Sequence, residues 1–202
     1  MKKIVAVTQR VDIVAARNER RDALDQRWAD FLSACDLVGF PVPNHPELAC
    51  DLLEAVSPAG LVLTGGNDLA GYGGDAPERD ETERRLIDWA RRRKLPILAV
   101  CRGMQVVADA FSANLGRLAG HAGTRHRIRI DGGATRDVNS YHTWSVAVPE
   151  GFSSWAIAED GSVEAMRHAS EPITGILWHP EREAPYHSED IALFREVFGA
   201  TR

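Results

Sequence analysis

The run Leu95-Pro96-Ile97-Leu98-Ala99-Val100-Cys101-Arg102-Gly103-Met104-Gln105 decides the fold. Its first half is a short, nearly unbroken apolar stretch, which predicts a strand over 95–100 buried on both faces. Its second half takes up helical spacing at once, and predicts a helix over 101–111 with no loop between. A buried strand that turns directly into a helix is the unit of a parallel sheet. Working outward, the same pattern recurs. Ile4–Val7 predicts a first strand, and Arg17–Cys35 a helix with Leu24, Trp28, Phe31 and Leu32 on one face. Leu37–Pro43 predicts a second strand, Glu47–Val56 a helix stopped at Ser57-Pro58, and Gly60–Thr64 a third buried strand. A glycine-bearing loop over 69–77 leads to a charged helix, Arg79–Lys94, that turns Leu86 and Trp89 inward. After residue 111 the character changes. Arg127–Ile130, Val138–Val148, Trp155–Ala158, Val163–His168 and Ile173–Trp178 read as strands joined by tight turns such as Glu159-Asp160-Gly161. Ser188–Phe198 reads as a closing helix. The expected class is α/β: an open, mostly parallel central sheet with helices on both faces and a small antiparallel addition in the second half. One domain is expected over 1–202.

Composition narrows the function. The chain carries 24 basic against 29 acidic residues, a net charge of −5, which argues against a general nucleic-acid binder but leaves room for a local basic patch. The apolar run after Met1-Lys2-Lys3 is too short for a signal peptide core, and no long apolar stretch suggests a membrane span, so a cytoplasmic protein is expected. Cys35, Cys50 and Cys101 are odd in number and lack metal-ligand spacing, so free thiols are expected. No motif demands a metal or an organic cofactor.

Three short segments carry candidate chemistry. In Ala99-x-Cys101-x-Gly103 small residues flank a nucleophile at a tight strand-to-helix turn, and the helix N-terminus favours the thiolate. The motif alone fits either a nucleophile or a buried thiol packed as a small hydrophobe. In Trp178-His179-Pro180-Glu181 an extended backbone puts His179 and Glu181 on the same side, the arrangement of an oriented base or of an ordinary His–Glu pair. In Leu63-Thr64-Gly65-Gly66-Asn67-Asp68 bare glycines at a strand's carboxyl end can present N–H groups to an oxyanion.

Taken in order with Val138-Asn139-Ser140-Tyr141-His142, these segments resemble the class I glutamine amidotransferase superfamily, whose fold is flavodoxin-like. Cys101-Arg102-Gly103-Met104-Gln105 is the spelling of its γ-glutamyl hydrolase (peptidase C26) branch. The resemblance runs from Thr8-Gln9-Arg10 to Glu181. It implies a Cys101–His179–Glu181 triad that cleaves a γ-glutamyl amide through a γ-glutamyl thioester. It places the Gly66 and Arg102 N–H groups in an oxyanion hole, and Gln105, Asn139, Ser140, Tyr141 and His142 around the glutamyl group. The compact form most resembles hydrolases of γ-glutamyl-CDP-amidate in capsule phosphoramidate biosynthesis. A nucleotide leaving group calls for cationic contacts, for which Arg10, Arg102, His121, Arg125, His126 and Arg127 are the candidates. The alternating Arg125, Arg127 and Arg129 also fit a solvated strand face.

Some features depart from the branch that cleaves γ-glutamyl-γ-aminobutyrate. The chain is shorter, Asp131-Gly132-Gly133 is a minimal turn, and Thr143-Trp144 follows His142. These departures border the leaving group, so its identity stays open. The partner expected is a small γ-glutamyl substrate, with no nucleic acid or membrane, and a homodimer is left open. Two other classes remain: the glutaminase subunit of a two-protein amidotransferase, and a non-enzymatic sensor that keeps Cys101 as a redox thiol. Arg91-Arg92-Arg93-Lys94 suits a helix C-terminus without a partner.

Overall fold

A computed structural model describes residues 2–200. Nine strands form one open sheet in the order β4-β1-β5-β6-β13-β12-β11-β8-β9. Its first half is parallel and comprises β4 (Leu37–Pro41), β1 (Lys3–Val7), β5 (Leu61–Leu63), β6 (Ile97–Val100) and β13 (Ile173–Ile176). Its second half is antiparallel and comprises β12 (Val163–His168), β11 (Phe152–Ala158), β8 (Ala122–Ile130) and β9 (Thr135–Tyr141). Two two-stranded sheets stand apart: β2 (Arg10–Val14) with β3 (Glu19–Ala23), and β7 (Leu115–Arg117) with β10 (Trp144–Val146).

Strand alternation explains why both faces of the parallel half are covered. Ala6, Leu61, Leu63, Ile97 and Ala99 face one core, with residues from α2 (Pro46–Val56), α3 (Pro77–Arg93) and α4 (Arg102–Ala110). Val5, Val7, Val62, Leu98 and Val100 face the other. There Trp28, Phe31 and Leu32 of α1 (Arg27–Ala34) meet Phe194 and Phe198 of α5 (Ser188–Phe198). Phe31 and Phe194 meet edge to face with ring centroids 4.8 Å apart. Such a pair adds about 0.5–1.5 kcal/mol to the burial of each ring. No helix among the described residues is long and apolar enough to cross a membrane.

The βα order and the closing helix follow the sequence reading. The largest correction falls on Arg17–Cys35, where the helix is confined to Arg27–Ala34 and the residues before it form the β2–β3 hairpin. The hairpin turns through Asn18, in the left-handed conformation at φ 50°. Asn tolerates that region, whereas the glycine that would have announced a turn is absent. Trp28, Phe31 and Leu32 are the buried stripe, and Leu24 lies outside the helix. Trp89 is buried as expected and donates through Nε1 to Glu54 at 2.8 Å. Cys35 is fully buried and Cys50 half-buried. In the basic run ending α3, Arg91 meets Glu171 at 2.7 Å and Arg93 meets Glu54 within the chain.

Candidate active site

The parallel strands deliver their carboxyl ends to one edge of the sheet, and the candidate residues gather there. β6 ends at Val100, and Cys101 follows with φ 53° and ψ −110° before α4 begins. A side chain at positive φ is strained, and here the strain aims the thiol off the strand end. Two glycines make the elbow possible. A Cβ on Gly103 would lie 2.4 Å from the Leu63 carbonyl oxygen, so only glycine lets α4 sit this close to β5. A Cβ on Gly65 would lie 2.6 Å from His179 Cε1 and 3.5 Å from Cys101 Cβ, so its hydrogen opens the space between imidazole and thiol.

His179 follows β13, the strand beside β6. Its Nδ1 is 2.7 Å from Glu181 Oε1, and both residues are buried. Asn139 of β9 brackets the His179 backbone: its Oδ1 accepts from the His179 N–H at 2.8 Å, and its Nδ2 donates to the His179 carbonyl at 2.8 Å. Tyr141 stands edge-on to the imidazole, ring centroids 5.5 Å apart. Burial works against both charged forms, pushing the Cys101 thiol up and the imidazole down. Their mutual attraction outweighs it. The Cys101 thiol is lowered by His179, and further by His142 and the Arg102 N–H. His179 is pushed up to about 9 by Cys101 and Glu181. The arrangement favours a thiolate–imidazolium pair.

Beneath the Gly65-Gly66 turn lies a buried charged network that the sequence reading missed. Arg79 donates to the carbonyls of Thr64 (2.9 Å) and Gly66 (3.0 Å), which flank the Gly65–Gly66 peptide, and so fixes that turn. Its Nε meets Glu83 Oε1 at 3.0 Å, and Arg102 reaches Glu83 Oε2 and Asp80 Oδ1. Arg79 is held down to about 10 by burial, so it is still charged at neutral pH. The Arg102 guanidinium is thereby turned into the protein, away from solvent and any ligand phosphate. Arg79 and Glu83 at i and i+4 look in sequence like an exposed helix pair, and nothing local signals their burial.

A cavity of about 250 Å³ opens beside His179. It is lined by Gly65, Gly66 and Glu181, and across from them by Arg10, Asp12, Asp25, Trp28 and Arg182. The β2–β3 hairpin supplies one wall, tied to the turn by Asn67, which both accepts from the Val11 N–H at 2.8 Å and donates to its carbonyl at 2.9 Å. Of the expected leaving-group residues, Arg10 lies here, its Nε 2.7 Å from Asp12 Oδ1. Arg125 is paired with Glu183 and Arg127 with Asp137. His121 and His126 lie in a separate cluster with His142 around Glu164 of β12. Burial raises the Glu164 carboxyl, but His126 and His142 bring it below its ordinary value. His142 is correspondingly raised by Glu164 against the effect of burial. Gln105 is buried with its Nε2 3.5 Å from the Trp144 carbonyl, and Ser140 is buried with its hydroxyl unpartnered.

Comparison with known proteins agrees with this architecture. The profile of the family described as glutamine amidotransferase class-I matches residues 32–197. The chain belongs to that family. It is 29% identical over 183 residues, 89% of this chain and 90% of the relative, to the γ-glutamyl-CDP-amidate hydrolase of Campylobacter jejuni. It is also 32% identical over 150 residues to one subunit of the glutamine-hydrolysing GMP synthase of Methanocaldococcus jannaschii, spanning 69% of this chain and 74% of that one. Among solved structures, a glutamine amidotransferase from Thermotoga maritima shares the fold with a TM-score of 0.67 and 15% identity, covering 97% of this chain and 84% of that one.

Proposed function

We propose that this glutamine-amidotransferase-like hydrolase cleaves a γ-glutamyl amide by covalent catalysis at Cys101. The observation that carries the reading is the buried line from Cys101, at its strained elbow, through His179 to Glu181. The thiolate attacks the γ-carbonyl carbon, and the oxyanion that forms is met by the N–H groups of Gly66 and Arg102. The imidazolium of His179 hands its proton to the departing nitrogen, leaving a γ-glutamyl thioester. Water attacks next, with neutral His179 as base, and glutamate leaves with the thiol restored. Glu181 fixes the imidazole tautomer and stabilises its charged form. Asn139 acts through His179, as a positioning residue. Gln105, Ser140 and Tyr141, with the backbone at His142, are assigned to the glutamyl side.

The leaving group is assigned to the cavity under the β2–β3 hairpin, where the guanidinium groups of Arg10, paired with Asp12, and Arg182, beside Glu181, would meet a diphosphate. With the relative that covers nine-tenths of both chains, this favours γ-glutamyl-CDP-amidate over γ-glutamyl-γ-aminobutyrate. The similarity to the GMP synthase subunit supports a second reading, a glutaminase working with a separate synthetase.

The test is glutamate release by the purified protein from γ-glutamyl-CDP-amidate, γ-glutamyl-γ-aminobutyrate, a γ-glutamyl dipeptide and glutamine. The first should be turned over fastest. Cys101→Ala, with an unchanged circular dichroism spectrum, should fall by about 10³-fold or more. Silence on all four substrates overturns the stand-alone hydrolase and leaves the synthetase-dependent glutaminase.

A further inference from the structure

Outside the catalytic line, His121, His142 and Glu164 converge from three separate segments: the approach to β8, the end of β9 and the start of β12. Three of their atoms form a nearly equilateral triangle. His121 Nδ1 lies 3.4 Å from His142 Nε2 and 3.3 Å from Glu164 Oε1, and His142 Nε2 lies 3.4 Å from that same oxygen. A tetrahedral zinc ion with bonds near 2.0–2.1 Å sets its ligand atoms about 3.3–3.4 Å apart, the edge of the tetrahedron. The triangle has the size of one face of that tetrahedron.

The outer nitrogens are held as metal-bound histidines are held. His142 Nδ1 lies 3.1 Å from the Trp144 carbonyl, which can only accept a hydrogen bond. His121 Nε2 lies 3.0 Å from the Asp160 carboxylate. A carbonyl or carboxylate behind each ring fixes the tautomer and turns the other nitrogen's lone pair inward. With the outer nitrogens protonated, two imidazole lone pairs and a carboxylate oxygen face one another. Glu164 is fully buried, and neither of its oxygens has a hydrogen bond. A buried carboxylate in that condition is costly unless a cation meets it. The third imidazole, His126, lies with Nε2 3.4 Å from the other Glu164 oxygen, and both its ring nitrogens are also without hydrogen bonds.

We propose that His121, His142 and Glu164 bind one divalent transition-metal ion of the zinc class. Two imidazoles and a carboxylate suit zinc or cobalt(II) rather than calcium or magnesium, which take oxygen. The ion would pin β8, β9 and β12 together where the antiparallel half of the sheet meets the catalytic edge.

The experiment loads the EDTA-stripped full chain with Zn(II), desalts it and counts the metal by mass spectrometry, then repeats the loading with Co(II) for absorption. About one zinc per chain is expected in the wild type and in Cys101→Ala. His121→Gln and Glu164→Gln should bind at least 100-fold more weakly in competition with a chromophoric chelator. The cobalt protein should show tetrahedral visible bands with no thiolate charge-transfer band. The spectrum is read on the wild type, so it decides even where a variant folds poorly. No retained metal overturns the site and leaves a proton shared between His142 and Glu164 as the cation. Metal lost in Cys101→Ala, or a thiolate band, overturns it in favour of the catalytic thiol.

Discussion

The cluster beneath α4 and the cluster around β12 both bury carboxylates, but they meet the charge differently. Beneath α4, Glu83 and Asp80 face two guanidiniums, and each oxygen of Glu83 has its own arginine. Around β12, Glu164 faces imidazoles, whose charge depends on pH, and its oxygens have contacts within 3.4 Å without a hydrogen bond. The first arrangement is closed and holds a shape. It supports the Gly65-Gly66 turn through Arg79 and anchors the start of α4 through Arg102. The second is open to a cation and can change state while the fold persists.

The largest effect should come from breaking the closed cluster. Glu83→Gln leaves two buried guanidiniums with Asp80 as their one carboxylate, and about 3–5 kcal/mol should be lost in urea denaturation. Glu164→Gln, compared in metal-free buffer, should lose on the order of 1 kcal/mol. Equal losses in the two variants would break the comparison.

A pH series sharpens it. Glu164 is lowered in the fold, so its contribution is present above the unfolded value of 4.5 and fades as pH falls through the folded one. His142 is raised, so its contribution is complete below 6.5 and is lost as pH rises through its folded value. The stability difference between wild type and Glu164→Gln should therefore be greatest between about pH 4.5 and 6.5 and shrink in alkali. Glu83 is lowered by Arg102 and Arg79 against its burial, so the Glu83→Gln difference should shrink in acid and stay flat from pH 6.5 to 9.

The smallest effect tests whether the open cluster reaches the thiol. His142 is one of the groups that lower Cys101. His142→Gln should move the pH profile of Cys101 alkylation, followed residue by residue by mass spectrometry, to higher pH, and by less than His179→Gln does. Cys35, whose thiol burial pushes up to about 12, serves as the unreactive internal standard.

How much of this was readable in the sequence depends on how local each feature is. The Cys101 elbow and the His179-Pro180-Glu181 segment are each set within a few residues, so spacing alone displays them. The parallel strands are buried on both faces and appear as short apolar runs. The β2–β3 hairpin was hidden because Glu19-Arg20-Arg21-Asp22 is charged on every side and shows neither a two-residue nor a helical period. Of the expected stripe Leu24, Trp28, Phe31 and Leu32, the last three lie on the buried face of α1, whereas Leu24 precedes the helix. The wall of the cavity was lost with the hairpin, including Asp12 and Asp25. His121, His142 and Glu164 lie about twenty residues apart, at the ends of β8, β9 and β12, and only the sheet topology brings them together. Arg102 was legible as a cation, but its partners sit on α3, so the direction in which it points was not.

The backbone at Cys101 has a consequence outside chemistry. A non-glycine residue at φ 53° and ψ −110° gives up about 1–3 kcal/mol of folding free energy, from a total that in natural domains is rarely much above ten. Folding alone would favour glycine at this position. Selection for stability and retention of a side chain here thus pull in opposite directions, and the rest of the sheet must supply the margin that lets the side chain stay.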